Sequence, residues 1–148
     1  MTQKLVTPKN LSMELLKSIF DEASIETVDA KNGLIVKKYF DILLAIEEGS
    51  DLVWLKMLVK LKPETSELFR LQTVNMINNN FDCIKAAEVI DDGLVFSWEI
   101  SIDGGITKKA LLKAVMRFYK SIFEVIESVK DVIDSLLEMS PKTTKTEA

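Results

Sequence analysis

The chain has no histidine, one cysteine, three prolines and five glycines. Without histidine it lacks the commonest general base and the commonest metal ligand. Cys83 alone permits no internal disulfide and, with no histidine to join it, none of the usual zinc sets. No cofactor or catalytic set is expected, and hence no enzyme. No apolar run reaches the ~18 residues of a spanning helix, so no membrane segment is expected. Residues 1–10 lack the apolar stretch of a secretory leader, and none is expected there. Bases are in slight deficit, 19 Lys and Arg against 23 Asp and Glu, for a net charge of −4 and a pI near 5.0. That balance argues against non-specific nucleic-acid or anionic-membrane binding and fits a soluble cytoplasmic protein. A hydrophobic content of 47% excludes wholesale disorder. The 148 residues suffice for one core, so a single domain over 1–139 is expected, followed by a polar, disordered tail over 140–148.

The longest periodic stretch is 107–139. One apolar row runs Leu111, Val115, Phe118, Ile122, Val125, Val129, Val132, Leu136, in alternating steps of four and three. This is a sustained heptad spacing. A second row lies beside it: Leu112, Met116, Tyr119, Phe123, Ile126, Ile133 and Leu137, broken at Lys130. The spacing predicts one helix of about 33 residues, roughly 50 Å long at ~1.5 Å per residue. Its two rows suggest a division, one onto the rest of the fold and one onto a partner.

Ahead of it the pattern changes. Thr7-Pro8 reads as a helix start, followed by Leu11, Leu15, Leu16, Ile19 and Phe20 at helical spacing. A short strand over 25–30 and the turn dipeptide Asn32-Gly33 follow. Residues 34–47 alternate, with Leu34, Val36, Phe40, Ile42, Leu44 and Ile46 on one side, interrupted by Lys38. Residues 51–61 alternate again, with Val53, Leu55, Met57, Val59 and Leu61 inward. Pro63 reads as the start of a second helix, with Leu68, Leu71, Val74 and Ile77 as its inner face and Asn78-Asn79-Asn80 as its end. Strands over 81–90 and 94–102 form a hairpin around Asp92-Gly93, the second with Leu94, Phe96, Trp98, Ile100 and Ile102 inward. The expected fold is α+β, order α-β-β-β-α-β-β-α: an antiparallel sheet of about five strands with helices mainly on one face and a long C-terminal helix.

The run Leu71-Gln72-Thr73-Val74-Asn75-Met76-Ile77-Asn78, and the run Phe96 to Thr107 leading into the last helix, resemble the YbjN family. That family shares the type III secretion chaperone-like fold. The resemblance covers about 11–137 in element order. It implies a small α+β protein, often dimeric, that binds protein partners. Several relatives carry only a sensory or stress-regulator designation, and the family supplies no catalytic residues.

Four groups stand out as possible sites. Cys83 reads better as a small apolar strand residue than as a reactive thiol, since free Cys is usually buried. Asn78, with Asn75, suits a hydrogen bond to neighbouring backbone; Asn79 and Asn80 end the helix. Asp91, Asp92 and Asp103 suit turns, and no loop has the alternating oxygen pattern of a calcium site. Trp54 shares a strand face with Leu52 and Leu58, opposite a complete core row, and with Tyr39 and Leu43 from the neighbouring strand. A contiguous outer apolar patch of this kind marks a partner surface unless the chain's own termini or a helix cover it.

Charge points to a second partner surface. Lys108, Lys109, Lys113, Arg117 and Lys120 precede Glu124, Glu127, Lys130, Asp131, Asp134 and Glu138. This order opposes the helix dipole. Two copies packed antiparallel would bring each basic half to the other's acidic half, with Lys109, Arg117, Glu127 and Asp134 in the contact. The bland alternatives are a solvated charged face, where pairs are worth ~0–1 kcal/mol, or an anion-binding strip. The expected function is a non-enzymatic protein-interaction module, chaperone-like or regulatory, acting as a homodimer with a further protein partner. The alternatives are a dedicated secretion chaperone, or a small-ligand sensor with its site at the dimer interface.

Overall fold

Alternation along the strands decides how the sheet is sided. The chain runs α1 (Met13–Glu22), β1 (Thr27–Ala30), β2 (Gly33–Lys37), β3 (Asp41–Ile46), β4 (Leu52–Leu61), α2 (Glu67–Asn80), β5 (Lys85–Val89), β6 (Gly93–Ser101), α3 (Lys108–Val129) and β7 (Ile133–Leu136). This computed structural model describes residues 5–47, 49–89, 93–131 and 133–136, the last three by backbone only. The Asp91-Asp92 turn and the tail over 140–148 lie outside the described residues.

The strands form one antiparallel sheet in the order β1-β2-β3-β4-β6-β5, with β7 also on β4. The sequence suggested about five strands. Seven are described: Lys38-Tyr39-Phe40 turn the chain and split the expected strand over 34–47 in two, and β7 adds the other. Lys37 pairs with Asp41 across this turn. Paired residues share a face, so the alternation continues unbroken through the hairpin. Leu34, Val36, Ile42 and Leu44 therefore all enter the main core, with Val53, Leu55, Met57, Val59 and Leu61 from β4. From β6 come Leu94, Phe96 and Ile100, with Ile102 just beyond it and Trp98 half-buried on the same side.

All three helices join this one core: Leu16, Ile19 and Phe20 from α1, Ile77 from α2, and the heptad row Leu111 to Val129 from α3. Helix starts shift from their expected places. Ser12 caps α1 by accepting from the Leu15 N–H at 3.1 Å, while Thr7 to Asn10 make a turn closed by the Asn10 side chain. Ser66, not Pro63, caps α2. Thr107 caps α3 as expected, accepting from the Ala110 N–H.

The last helix ends at Val129 rather than near Met139. β4 explains why. On one side β6 pairs it from Leu52 to Lys60, but on the other β3 reaches only from Val53 to Lys56. The far end of β4 would leave backbone groups unpaired in a sheet covered by helices on one face, which is costly where they are buried. β7 fills the gap, with Val59 opposite Leu136 and Leu61 opposite Ile133. Lys130, the break in the second apolar row, is where the chain leaves the helix.

Candidate functional site

The second face of the sheet has no helix on it among the described residues. Residues that alternate with the core row come together there. Ile35 lies across from Leu43, Leu43 from Lys56, Ala45 from Trp54, Trp54 from Glu99, and Leu58 from Val95. Ile35 and Leu58 are buried and form a small second cluster with Val28, Ala30, Leu43 and Val95. Trp54 is 37% exposed and Leu52 half-buried. Trp54 stands at the end of a cross-strand row of small residues, Ala30, Gly33 and Ala45. The charges near it are Lys56 on its own strand and Glu99 across from it, which Lys85 approaches at 4.0 Å. Lys37 grips the buried Asp41 at 3.1 Å on this face. The structure thus unites four of the five expected patch residues, Leu43, Leu52, Trp54 and Leu58.

Tyr39 does not join them. It sits in the β2–β3 turn and leans onto α3, its ring edge-on to Tyr119 at 5.3 Å and near Phe123 at 5.6 Å. Phe40 completes this four-ring group, 4.9 Å from Tyr119 and 5.2 Å from Phe123. The hairpin turn, which the alternation did not reveal, redirects Tyr39. Tyr119 is buried, and burial pushes its hydroxyl up to about 12. Tyr39 stays 60% exposed and Phe123 48%.

On α3, Lys109, Arg117 and Glu127 are exposed. Asp134 lies in β7, off the helix, so the acidic half of the expected charge ladder shrinks to Glu124 and Glu127. The second apolar row is only partly covered: Tyr119 is buried, Leu112, Met116 and Ile126 half-buried, and Phe123 exposed.

No family model matches the chain, and no curated protein matches it. Among solved structures, YbjN of E. coli, described as a proposed transcription regulator, aligns with a TM-score of 0.74 at 17% identity. The alignment covers 88% of this chain and 99% of that one. The fold is YbjN-like. An uncharacterised protein from Methanothermobacter thermautotrophicus shares it, with a TM-score of 0.60 at 17% identity over 82% of this chain and 98% of that one.

On this YbjN-like scaffold α2 supplies a third surface. The sequence suggested Leu68 and Leu71 as inner positions, but both are exposed, Leu68 by 67%, as is Phe69. The inner face is Thr73 and Ile77, because only the second half of α2 packs down, against β5. Asn78 makes that contact. Its side chain donates to the Ala86 carbonyl at 3.0 Å and accepts from the Ala86 N–H at 2.7 Å, the backbone role read from the sequence. Phe69, Thr73 and Met76 border a groove of about 250 Å³ closed by Ser128, Val129 and Asp131. Cys83 is half-buried in the turn before β5, at φ +59°, and not within a strand. Among the described residues no His, Cys, Asp or Glu cluster could hold a metal, and no helix is long and apolar enough to cross a membrane.

Proposed function

We propose that this chain is a non-enzymatic protein-interaction module, regulatory or chaperone-like, that works as a homodimer. The observation that carries the reading is the outer face of the sheet. It holds an exposed Trp54 beside small and aliphatic neighbours, and no described helix covers it. Ile35 and Leu58 are already buried within the chain, so the open part of the patch is the Trp54 ring with Leu43 and Leu52 partly exposed beside it, and rings with a polar handle are favoured at contacts. An apolar patch is complementary to itself, so a second copy is the occupant that needs no further partner. The YbjN-like fold supports the regulatory side of the reading, since YbjN is described as a proposed transcription regulator.

Light scattering on the full chain tests this. Wild type is expected to run as a dimer at tens of micromolar, and Trp54→Glu as a folded monomer with unchanged circular dichroism. A wild-type monomer, or a Trp54→Glu protein that stays dimeric, would overturn the reading.

A further inference from the structure

We propose that the exposed face of α3 from Lys109 to Phe123 docks an acidic amphipathic helix of a partner protein. This surface is separate from the Trp54 patch and lies on the helix side of the sheet. Lys109, Lys113, Arg117 and Lys120 recur there at steps of four and three, and all four are exposed. Among the described residues none of the four has a carboxylate within 4.0 Å, whereas Lys108 beside them reaches Glu22 at 3.7 Å. No acid occurs on α3 before Glu124. The first turns of a helix carry the positive end of its dipole and favour acids. Lys109 therefore stands where local helix physics disfavours a cation, and three more cations follow it on the same face, in a chain whose net charge is −4. Local rules are broken where a contact compensates.

An apolar seam runs beside the cations. Leu112 and Met116 are half-buried, Phe123 is exposed, and the Tyr39 ring extends the seam from the β2–β3 turn. An apolar row flanked by a basic row is complementary to a helix that carries an apolar row flanked by acids.

Other occupants fit less of this surface. An antiparallel second copy would offer Glu124 and Glu127 to Lys109 and Lys113. It would also bring Arg117 and Lys120 against their own copies near the two-fold axis, gathering four cations. Nucleic acid would use the cations but not the seam, and Glu124, Glu127 and Asp131 would repel it at one end.

The test uses the full chain and a fluorescent synthetic helix of about 18 residues, long enough at ~1.5 Å per residue to cover the face. Its leucines follow heptad spacing and glutamates flank them. Controls are a peptide of the same composition with the leucine spacing scrambled, and a single-stranded oligonucleotide. Anisotropy is expected to show binding of the phased peptide, weaker at higher salt. Lys113→Glu with Arg117→Glu should weaken it at least about tenfold, or ~1.4 kcal/mol. The milder Lys113→Gln with Arg117→Gln should give an intermediate loss, with circular dichroism unchanged. No binding, equal binding of either control, or full binding by the charge-reversed variant would overturn the proposal. So would a charge-reversed variant whose particle size changes in light scattering, since a second copy would then be the occupant.

Discussion

The Tyr119 hydroxyl donates to the Phe40 carbonyl at 2.8 Å, joining α3 to the β2–β3 turn across 79 positions of sequence. The same oxygen lies 3.1 Å from the Val36 carbonyl and accepts from the Lys38 N–H at 3.3 Å. One side chain thus ties the first N–H and the last carbonyl of the three-residue turn at Lys38 to Phe40. Around it the rings of Tyr39, Phe40 and Phe123 pack edge to face, an arrangement worth ~0.5–1.5 kcal/mol per pair beyond area burial.

Tyr119→Phe keeps the ring and removes the hydroxyl. Buried backbone groups then lose their partner, at an expected cost of ~1–3 kcal/mol by chemical denaturation. A loss below ~0.5 kcal/mol, the usual scale of a surface change, would mean that the turn does not need the bond.

The same hydroxyl gives a pH dependence. Its folded pKa is raised from 10.0 to about 12 by burial, so the fold favours the protonated form. That contribution is fully present below pH 10 and is lost as pH rises from 10 toward 12. Wild type is expected to lose more stability over this window than Tyr119→Phe. Parallel melting profiles for the two proteins would contradict it.

Phe96 and Trp98 share the inward row of β6 but differ in burial. Phe96→Ala should cost ~3–5 kcal/mol, the range for large core truncations. Trp98→Ala should cost less, because only the covered part of the ring leaves a cavity. Denaturant midpoints in the reverse order would show that the row is sided wrongly.

Asn78→Ala removes both bonds to Ala86. The expected loss is ~1–3 kcal/mol, concentrated at β5 and α2. Hydrogen exchange should quicken at Ala86 and its neighbours while the β2–β3 hairpin keeps its protection. Uniform loss across the sheet would contradict this local role.

Gly33→Ala should destabilise the first hairpin. A Cβ there would overlap the Leu44 carbonyl oxygen on the facing strand, and backbone cannot give as a side chain can. A cost of ~1–3 kcal/mol, the range for overpacking, is expected from melting of the variant. An unchanged midpoint would mean that β2 and β3 are not so close.

Strand siding needed nothing beyond the sequence. A period of two puts alternate residues on opposite faces whatever the neighbours are. Val53 to Leu61 and Leu94 to Ile102 could therefore be assigned inward, and Leu52, Trp54 and Leu58 outward, before any contact was known. The same holds for the α3 row from Leu111 to Val129 and for the Thr107 cap. Tertiary structure decided the rest. The steps of Val129, Val132 and Leu136 suit a helix, yet β7 forms because β4 outreaches β3 and leaves pairing groups open beside it. Leu68 and Leu71 face outward because the contact with β5, made through Asn78 and Ile77, chooses which side of α2 is covered. Tyr39 leaves the Trp54 face because a turn at Lys38 sends it to Tyr119. For β7 and Tyr39 the deciding partner is far along the chain, and for α2 it is the next element, β5; in none of the three does the local pattern record the contact.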